Sequence, residues 1–493
     1  MSKRQISRRS FLKAAGVGVA LLGLGQSPGG AAAGATRRRP NVVFILVDDL
    51  GWTDVGCNGS RFYETPNIDR LAAEGMRFTD AYAACAVCSP TRAAVMTGRY
   101  PARLGVTDWI RSRFQGGKIP EDKKNPTKYV GGAKRKLLCP PNALWMELDE
   151  ITIAEALKPA GYVTCHIGKW HLGADDWYPD RQGFDYNIGG CDFGQPPTYF
   201  DPYERKGQGD IPTLTPRKEG EYLTDREADE AVAFIRDHRD QPFFLYMAHY
   251  AVHTPIQAKA DLVAKYEAKE PTNQKNTKYA AMVESVDDAV GRICGTLEEL
   301  NLTNDTIVFF TGDNGGLVPV TSNLPLRSGK GYPYEGGIRE PLIVRWPGAA
   351  RPGSTSGEPV TSVDYFPTIC EAAGIPLPAD REIDGVSLVQ HLRSGGTNPL
   401  DRDSLLWHFP HYRGSNVVPY SILRAGDWKL IKRYEGRTFE LFNLRDDLAE
   451  QNDLADAMPE KVQELNARLE QWLDRTHAKL PIPNPDYKPT RNR

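Results

Sequence analysis

Residues 41–47 read NVVFILV. A continuous apolar, β-branched run of that length fits a strand buried on both faces, as in the middle of a parallel sheet. It stops at two acids, Asp48 and Asp49. The plan then recurs along the chain. "PNIDRLAAEGMRF" predicts a helix with Pro66 in its first turn and Gly75 as its C-cap. "TIAEALKPAGYVTCHIGKWHLG" reads as helix, Gly161, strand and polar loop, and "DREADEAVAFIRDHRDQPFFLYMAHYAVHTP" repeats this with a strand over 243–247. A helix over 279–300 leads to a strand at 306–310 and the loop "TGDNGG". Such alternation predicts an α/β fold, a large mixed, mostly parallel sheet sandwiched by helices. Ligands of these sheets gather at the carboxyl ends of the strands. Every polar cluster above sits at such an end, so the clusters are expected to share one cleft.

The chain has 493 residues, 40% apolar and 25% charged, enough for a sizeable core. Its formal net charge of −2 sets up no global field for nucleic acid or membrane, so an anionic substrate must be met by local charge. Residues 113–142 break the pattern with a Gly/Pro-rich, basic stretch. It reads as an inserted surface loop, either merely solvated or steering a polyanionic substrate. From 398 to 480 the composition shifts to short strand-like runs ("LLWHF", "YSILRAGDWKLIKRYE", "FELFNL") and the amphipathic "PEKVQELNARLEQWL". This predicts a smaller C-terminal α+β domain of antiparallel sheet and one helix, after a catalytic domain over 37–397. Residues 481–493 read as a Pro-rich tail without packing signals. No internal repeat is present.

The first 36 residues are expected to lie outside the fold. Twin arginines, Arg8 and Arg9, precede a short apolar stretch and the small-residue run "GGAAAGA". This reads as a twin-arginine (Tat) export signal cut near residues 31–36, which makes the protein periplasmic or secreted. The apolar run over 14–24 is short of the roughly 20 residues that span a bilayer, so no stable membrane insertion is expected after cleavage. The alternative is a retained anchor. Eight cysteines lack framework spacing, and their pairing is not readable.

Asp48, Asp49, Asp313 and Asn314 offer oxygen ligands only, in "VDDLGW" and "GDNGG", each behind a buried strand. That set suits a hard divalent cation, Ca²⁺ or Mg²⁺, rather than zinc. Taken singly, such residues are also common turn formers. In "CSPTRAAVMTGR" Pro90 suits the first turn of a helix, which places Cys88 at or just before its N-cap. There the helix dipole favours an anion, and Arg92 can fold back beside it. Cys88 is open to four readings: a buried hydrophobe, a metal ligand, a redox partner of Cys85, or a nucleophile. No second half of a zinc or redox motif follows.

At this point the chain resembles the type I sulfatases, the formylglycine-dependent arylsulfatase family of the alkaline-phosphatase-like superfamily. The resemblance rests on "NVVFILVDDLGW", "TPNIDRLAAEGMRF", "CSPTRAAVMTGR", "GKWHLG", "HTP", "TGDNGG" and "GKGYPYEGGIREP". Thr91 departs from it, since the family more often has Ser or Ala there. The resemblance implies that a formylglycine-generating enzyme converts Cys88 to 3-oxoalanine (Cα-formylglycine), whose hydrate is the nucleophile. It also implies that Asp48, Asp49, Cys88, Asp313 and Asn314 surround the cation. Lys169 would bind sulfate oxygens, and His171 would take a proton as sulfate is expelled. His253 and Lys330 would face the leaving oxygen, one acting as acid. His249, His166 and Cys165 are read as structural. The implied substrate is a sulfated carbohydrate or an aryl sulfate. "WHFPHYRG" at 407–414, with His408, His411 and Arg413, either recognises a sulfated sugar or packs the C-terminal sheet. Alternatives are a phosphonate or phosphate ester hydrolase of the same superfamily and a non-catalytic glycan-binding relative.

Overall fold

A computed structural model describes residues 39–215 and 219–489. The export signal read over 1–36 lies outside the described residues. Strands are β1 (Asn41–Val47), β2 (Met76–Tyr82), β3 (Leu137–Leu138), β4 (Val163–Gly168), β5 (Tyr186–Ile188), β6 (Phe243–His249), β7 (Thr306–Gly312) and β8 (Arg339–Arg345). They continue as β9 (Ser354–Ser356), β10 (Val360–Thr361), β11 (Leu405–Phe409), β12 (Tyr420–Ala425), β13 (Trp428–Arg433), β14 (Phe439–Asn443) and β15 (Ile482–Pro483). Among the described residues nine strands form one sheet in the order β10-β2-β8-β7-β1-β6-β4-β5, with β9 also on β2. Only β8 pairs antiparallel with its neighbours; the other ladders of this sheet are parallel. The expected mixed, mostly parallel sheet is therefore present.

The alternation along β1 explains both layers. Val43, Ile45 and Val47 enter a core with helices α1 (Pro66–Glu74), α3 (Leu223–Asp237) and α4 (Thr277–Glu299). Val42, Phe44 and Leu46 point the other way, into a core with α2 (Cys88–Thr97) and α5 (Tyr365–Ala372). A strand covered on both faces has no polar side to show, hence the unbroken apolar run. Phe44 is fully buried among Tyr365, Phe309 and Tyr246, at ring-centroid distances of 5.2, 5.4 and 5.7 Å. Phe44→Ala is expected to cost about 3–5 kcal/mol, read as a lower midpoint in denaturant titration.

Two strands run further than the sequence suggests. β6 continues through Ala248 and His249, and β7 through Thr311 and Gly312, because both flank β1 and their ladders hold to its last residue. His249 is therefore a strand residue, buried, with Nδ1 2.7 Å from Glu227. Helix α2 begins one or two residues earlier than expected: Val87 is the N-cap and Cys88 the first helical residue.

Strands β11–β14 form the expected antiparallel sheet, with α6 (Pro459–Arg475) as its helix. One face packs Leu406, Leu423, Leu430 and Leu441 against Val462, Leu465, Leu469 and Trp472 of α6. The other packs Leu405, Trp407, Ile422, Ile431 and Phe442 against Tyr82, Cys85, Ala86, Val87 and Ile338. The C-terminal sheet thus supports the residues that lead into Cys88.

The tail corrects the sequence reading. Ile482 and Pro483 pair with Leu138 and Leu137, and Asn484 donates from Nδ2 to the carbonyls of Arg135 and Gly132. The tail and the 113–142 loop hold each other. Several cations of that loop are also engaged, Arg113 with Asp192, Lys123 with Asp176 and Arg135 over the Tyr412 ring.

Candidate active site

Four neighbouring strands end level with one another. Val47 pairs with His249 and with Gly312, and Gly168 pairs with Ala248. Asp48–Asp49, Lys169–His171, His253 and Asp313–Asn314 follow these ends, so the sheet itself brings them together. Helix α2 adds Cys88 and Arg92, and the loop before the short helix Glu335–Ile338 adds Lys330. All of these side chains are buried except His253, which is 14% exposed.

The charges interlock. Lys169 Nζ lies 2.5 Å from Asp48 Oδ2, and Lys330 Nζ lies 2.5 Å from Asp49 Oδ1. Arg92 donates from Nε to Asp313 Oδ2 at 2.9 Å and from Nη1 to the Lys169 carbonyl at 2.8 Å. Asn314 Nδ2 donates to Asp49 Oδ1 at 2.8 Å, and the Asp49 amide donates to Asp313 Oδ1 at 3.2 Å. Burial and the nearby Asp313 push Asp48 well above the usual carboxylate range, with Lys169 only partly offsetting them. Burial also opposes the charge on Asp49 and Asp313, but Lys330 and His253 hold the first low, and Arg92 and Lys169 the second.

A divalent cation fits this set. Asp48 Oδ1, Asp49 Oδ2 and Asn314 Oδ1 are buried oxygens with no hydrogen-bond donor. Asp48, Asp49 and His253 present ligand atoms within 4.8 Å of one another. His253 Nδ1 lies 2.9 Å from the Thr254 carbonyl, which only accepts, so Nδ1 carries the proton. Its Nε2 lone pair then faces Asp49 Oδ2 at 3.6 Å, a repulsion that a cation would relieve. Burial and Lys330 push His253 down to about 3, so it is neutral. The sequence reading gave His253 to the leaving group; the fold also sets it beside the carboxylates. Both oxygens of Asp313 are already engaged, by Arg92 and by the Asp49 amide.

The tautomer of His171 is fixed in the same way. Nε2 lies 2.6 Å from the Ile110 carbonyl, so it must donate. Nδ1 presents its lone pair to Cys88 Sγ at 3.3 Å, and burial with Lys169 keeps the ring neutral. Asp49 and His171 both hold left-handed backbone, with φ of 60° and 59°. Non-glycine residues there cost of order 1–3 kcal/mol, and the surrounding hydrogen bonds over-determine them.

Other residues fall elsewhere. His408 lies 2.8 Å from Ser421 Oγ and 3.1 Å from the Lys479 carbonyl, while His411 lies 2.7 Å from Thr107 Oγ1. Both are buried, and Trp407 donates to the Ala83 carbonyl, so this part of "WHFPHYRG" packs the C-terminal sheet. Sequence reasoning passed over Ser89, which donates from Oγ to the His171 carbonyl and accepts from the Ile110 amide. No pattern marks a lone serine for such a role.

A mostly parallel sheet whose strand ends carry interlocked acids and cations around a buried cysteine at a helix start has the architecture of the alkaline-phosphatase-like fold. The chain belongs to the sulfatase family: residues 40–375 match the model described as Sulfatase. Residues 329–479 match that described as N-sulphoglucosamine sulphohydrolase, C-terminal. A sulfatase of Formosa agariphila is 33% identical, over 91% of this chain and 93% of its own length. The N-acetylgalactosamine-6-sulfatase of Homo sapiens is 36% identical, over 79% of this chain and 71% of its own. The crystal structure of Ps i-CgsB in complex with k-i-k-neocarrahexaose superposes with a TM-score of 0.74 at 30% identity, covering 88% of this chain and 93% of that one. The protein is therefore a sulfuric ester hydrolase, of a family that generally uses a formylglycine and a divalent metal. Residues 5–25 match the twin-arginine translocation signal, so it is exported, to the periplasm or beyond. No helix among the described residues is long and apolar enough to cross a membrane.

Proposed function

We propose that this exported enzyme removes sulfate esters from a sulfated carbohydrate, with Cys88 carried as Cα-formylglycine beside one Ca²⁺ or Mg²⁺. The observation that carries the reading is the unprotonated Nδ1 of His171, aimed at residue 88 inside the charged cluster. The oxygens of Asp48, Asp49, Asp313 and Asn314 would hold the cation, which would supply positive charge to favour ionisation of a hydroxyl at residue 88 and to polarise sulfonyl oxygens. The hydrate of the aldehyde would supply one hydroxyl to attack sulfur and a second whose deprotonation would expel sulfate and restore the aldehyde.

The chain's own groups do the rest. Arg92, locked by Asp313 and the Lys169 carbonyl, keeps a fixed positive charge beside residue 88. Lys169 and Lys330 neutralise charge spreading over the sulfonyl oxygens in the transition state. Lys330 or His253 gives a proton to the leaving oxygen, and Lys330 is the one that is cationic in the unliganded site: Asp49 keeps it charged, whereas burial keeps His253 neutral, with its single N–H turned to the Thr254 carbonyl. His171 Nδ1 takes the proton of the hydroxyl that stays behind.

The sulfated-sugar reading is supported by the relatives, among them an N-acetylgalactosamine-6-sulfatase and a structure holding k-i-k-neocarrahexaose. Its test is sulfate release across defined sulfated mono- and oligosaccharides, N-acetylgalactosamine 6-sulfate included, with 4-nitrophenyl sulfate and 4-nitrophenyl phosphate alongside. At least one sugar is expected to exceed the aryl sulfate in kcat/KM. Turnover of the aryl sulfate and of no sugar defeats the carbohydrate assignment; preference for the phosphate favours the phosphoester alternative.

A further inference from the structure

Beside the cluster stands a second pair of charges that the chemistry above does not use. Asp108 is half-buried in the loop after the short helix Pro101–Leu104. Its carboxylate accepts one hydrogen bond, at Oδ1 from the adjacent Trp109 amide at 2.9 Å, and is in no ion pair among the described residues. Arg413 is also half-buried, and its guanidinium is in no ion pair or hydrogen bond among them. Burial pushes the Asp108 carboxyl up to about 7, against the Trp109 amide and the Arg413 charge, which lower it; polar groups this sheltered are normally paired unless a ligand completes them.

Both are fixed next to the reacting residues. Two residues beyond Asp108, the Ile110 carbonyl accepts from His171 and the Ile110 amide donates to Ser89, the neighbour of Cys88. Asn142 clamps the loop: Oδ1 accepts from the amides of Thr107 and Asp108, and Nδ2 donates to the carbonyls of Asp108 and Trp109, all at 3.0–3.1 Å. Arg413 lies on Gly331, the residue after Lys330; a Cβ there would meet its Cδ and Nε at 2.3 Å. The amide of Gly331 donates to the Ala86 carbonyl, two residues before Cys88. The Thr107–His411 hydrogen bond of 2.7 Å ties the two segments together. An acceptor, a donor and the half-buried ring of Trp109, with Arg111 5.6 Å from its centroid, thus lie in segments anchored to the neighbours of Cys88, and Asp108 feels the charges of both Arg413 and Cys88. That combination suits a pyranose, which offers hydroxyl donors, oxygen acceptors and an apolar ring face.

We infer that Asp108 is a specificity-determining residue that accepts a hydrogen bond from a hydroxyl of the sugar bearing the scissile sulfate, with Arg413 contacting the same sugar. This deepens, and rests on, the carbohydrate reading. The selectivity for sugar over aryl ester then comes from a carboxyl group that 4-nitrophenyl sulfate, which has no hydroxyl, cannot satisfy.

The test compares kcat/KM for the preferred sulfated sugar of the panel with that for 4-nitrophenyl sulfate. In Asp108→Ala the sugar-to-aryl ratio is expected to fall about 100-fold, the scale of a hydrogen bond to a charged group. Arg413→Ala is expected to lower it about 10-fold. Deoxy analogues of the sugar provide a readout on the unaltered enzyme. Removing the hydroxyl that Asp108 reads should cost about as much as Asp108→Ala, and should cost nothing further in that variant. An unchanged ratio, or equal losses on both substrates, overturns the inference while leaving the carbohydrate reading intact. A wild-type enzyme that turns over no sugar sinks both.

Discussion

Cys88→Ser is expected to release at most one equivalent of alcohol per enzyme and then stop. Serine in the first turn of α2 would sit where Sγ now faces His171 Nδ1, so a base stands ready to activate its hydroxyl. Arg92, Lys169 and Lys330 remain to hold the sulfuryl group. A serine sulfate, however, has no geminal hydroxyl from which to expel its ester, and water must attack an anion in a site built against it. Steady turnover should fall by about 10⁴-fold or more, as when a nucleophile is removed. The checks are burst kinetics and a peptide at residue 88 heavier by one SO₃ group. Sustained turnover near the wild-type rate would refute the proposed role of formylglycine.

Stripping divalent cations with a chelator is expected to cut activity at least about 100-fold and to lower Tm by a few degrees. Re-addition of Ca²⁺ or Mg²⁺ should restore both. Three buried oxygens lack donors, and Asp48 is pushed toward its neutral form by burial and by Asp313. A ligand that binds only the folded state stabilises it by about 2.7 kcal/mol at 100 times its Kd. Activity and thermal midpoint indifferent to chelation would remove the cation from the account.

Much of the fold is legible because β1 needs no context: a strand covered on both faces must be apolar throughout. Where context decides, sequence falls short. Ala248 and His249 carry no β-branched signal, yet the ladder to β1 draws them into β6. Ile482–Pro483 is too short for any periodicity, and its partner lies far back in the chain, at 137–138. "WHFPHYRG" holds residues that serve core and ligand equally well, and only burial separates His408 and His411 from Arg413. The ten candidate residues come together because their motifs set most of them at strand ends and in the first turns of α2, with Lys330 in the loop before Glu335–Ile338. Asp108 was not readable, since one acid in a loop looks like any other until its missing partner is seen.

Every residue of α2, from Cys88 to Thr97, is buried, and Cys88 itself is 3% exposed. No second protein can reach that side chain once the domain has closed. On the formylglycine reading, maturation therefore has a fixed chronology: oxidation acts on the nascent or unfolded polypeptide, collapse around the aldehyde follows, and translocation comes last, because the twin-arginine route carries its cargo already folded. A molecule that folds first is trapped as a thiol and is exported inert. The active fraction of a preparation would then record the race between the modifying enzyme and folding in the producing cell.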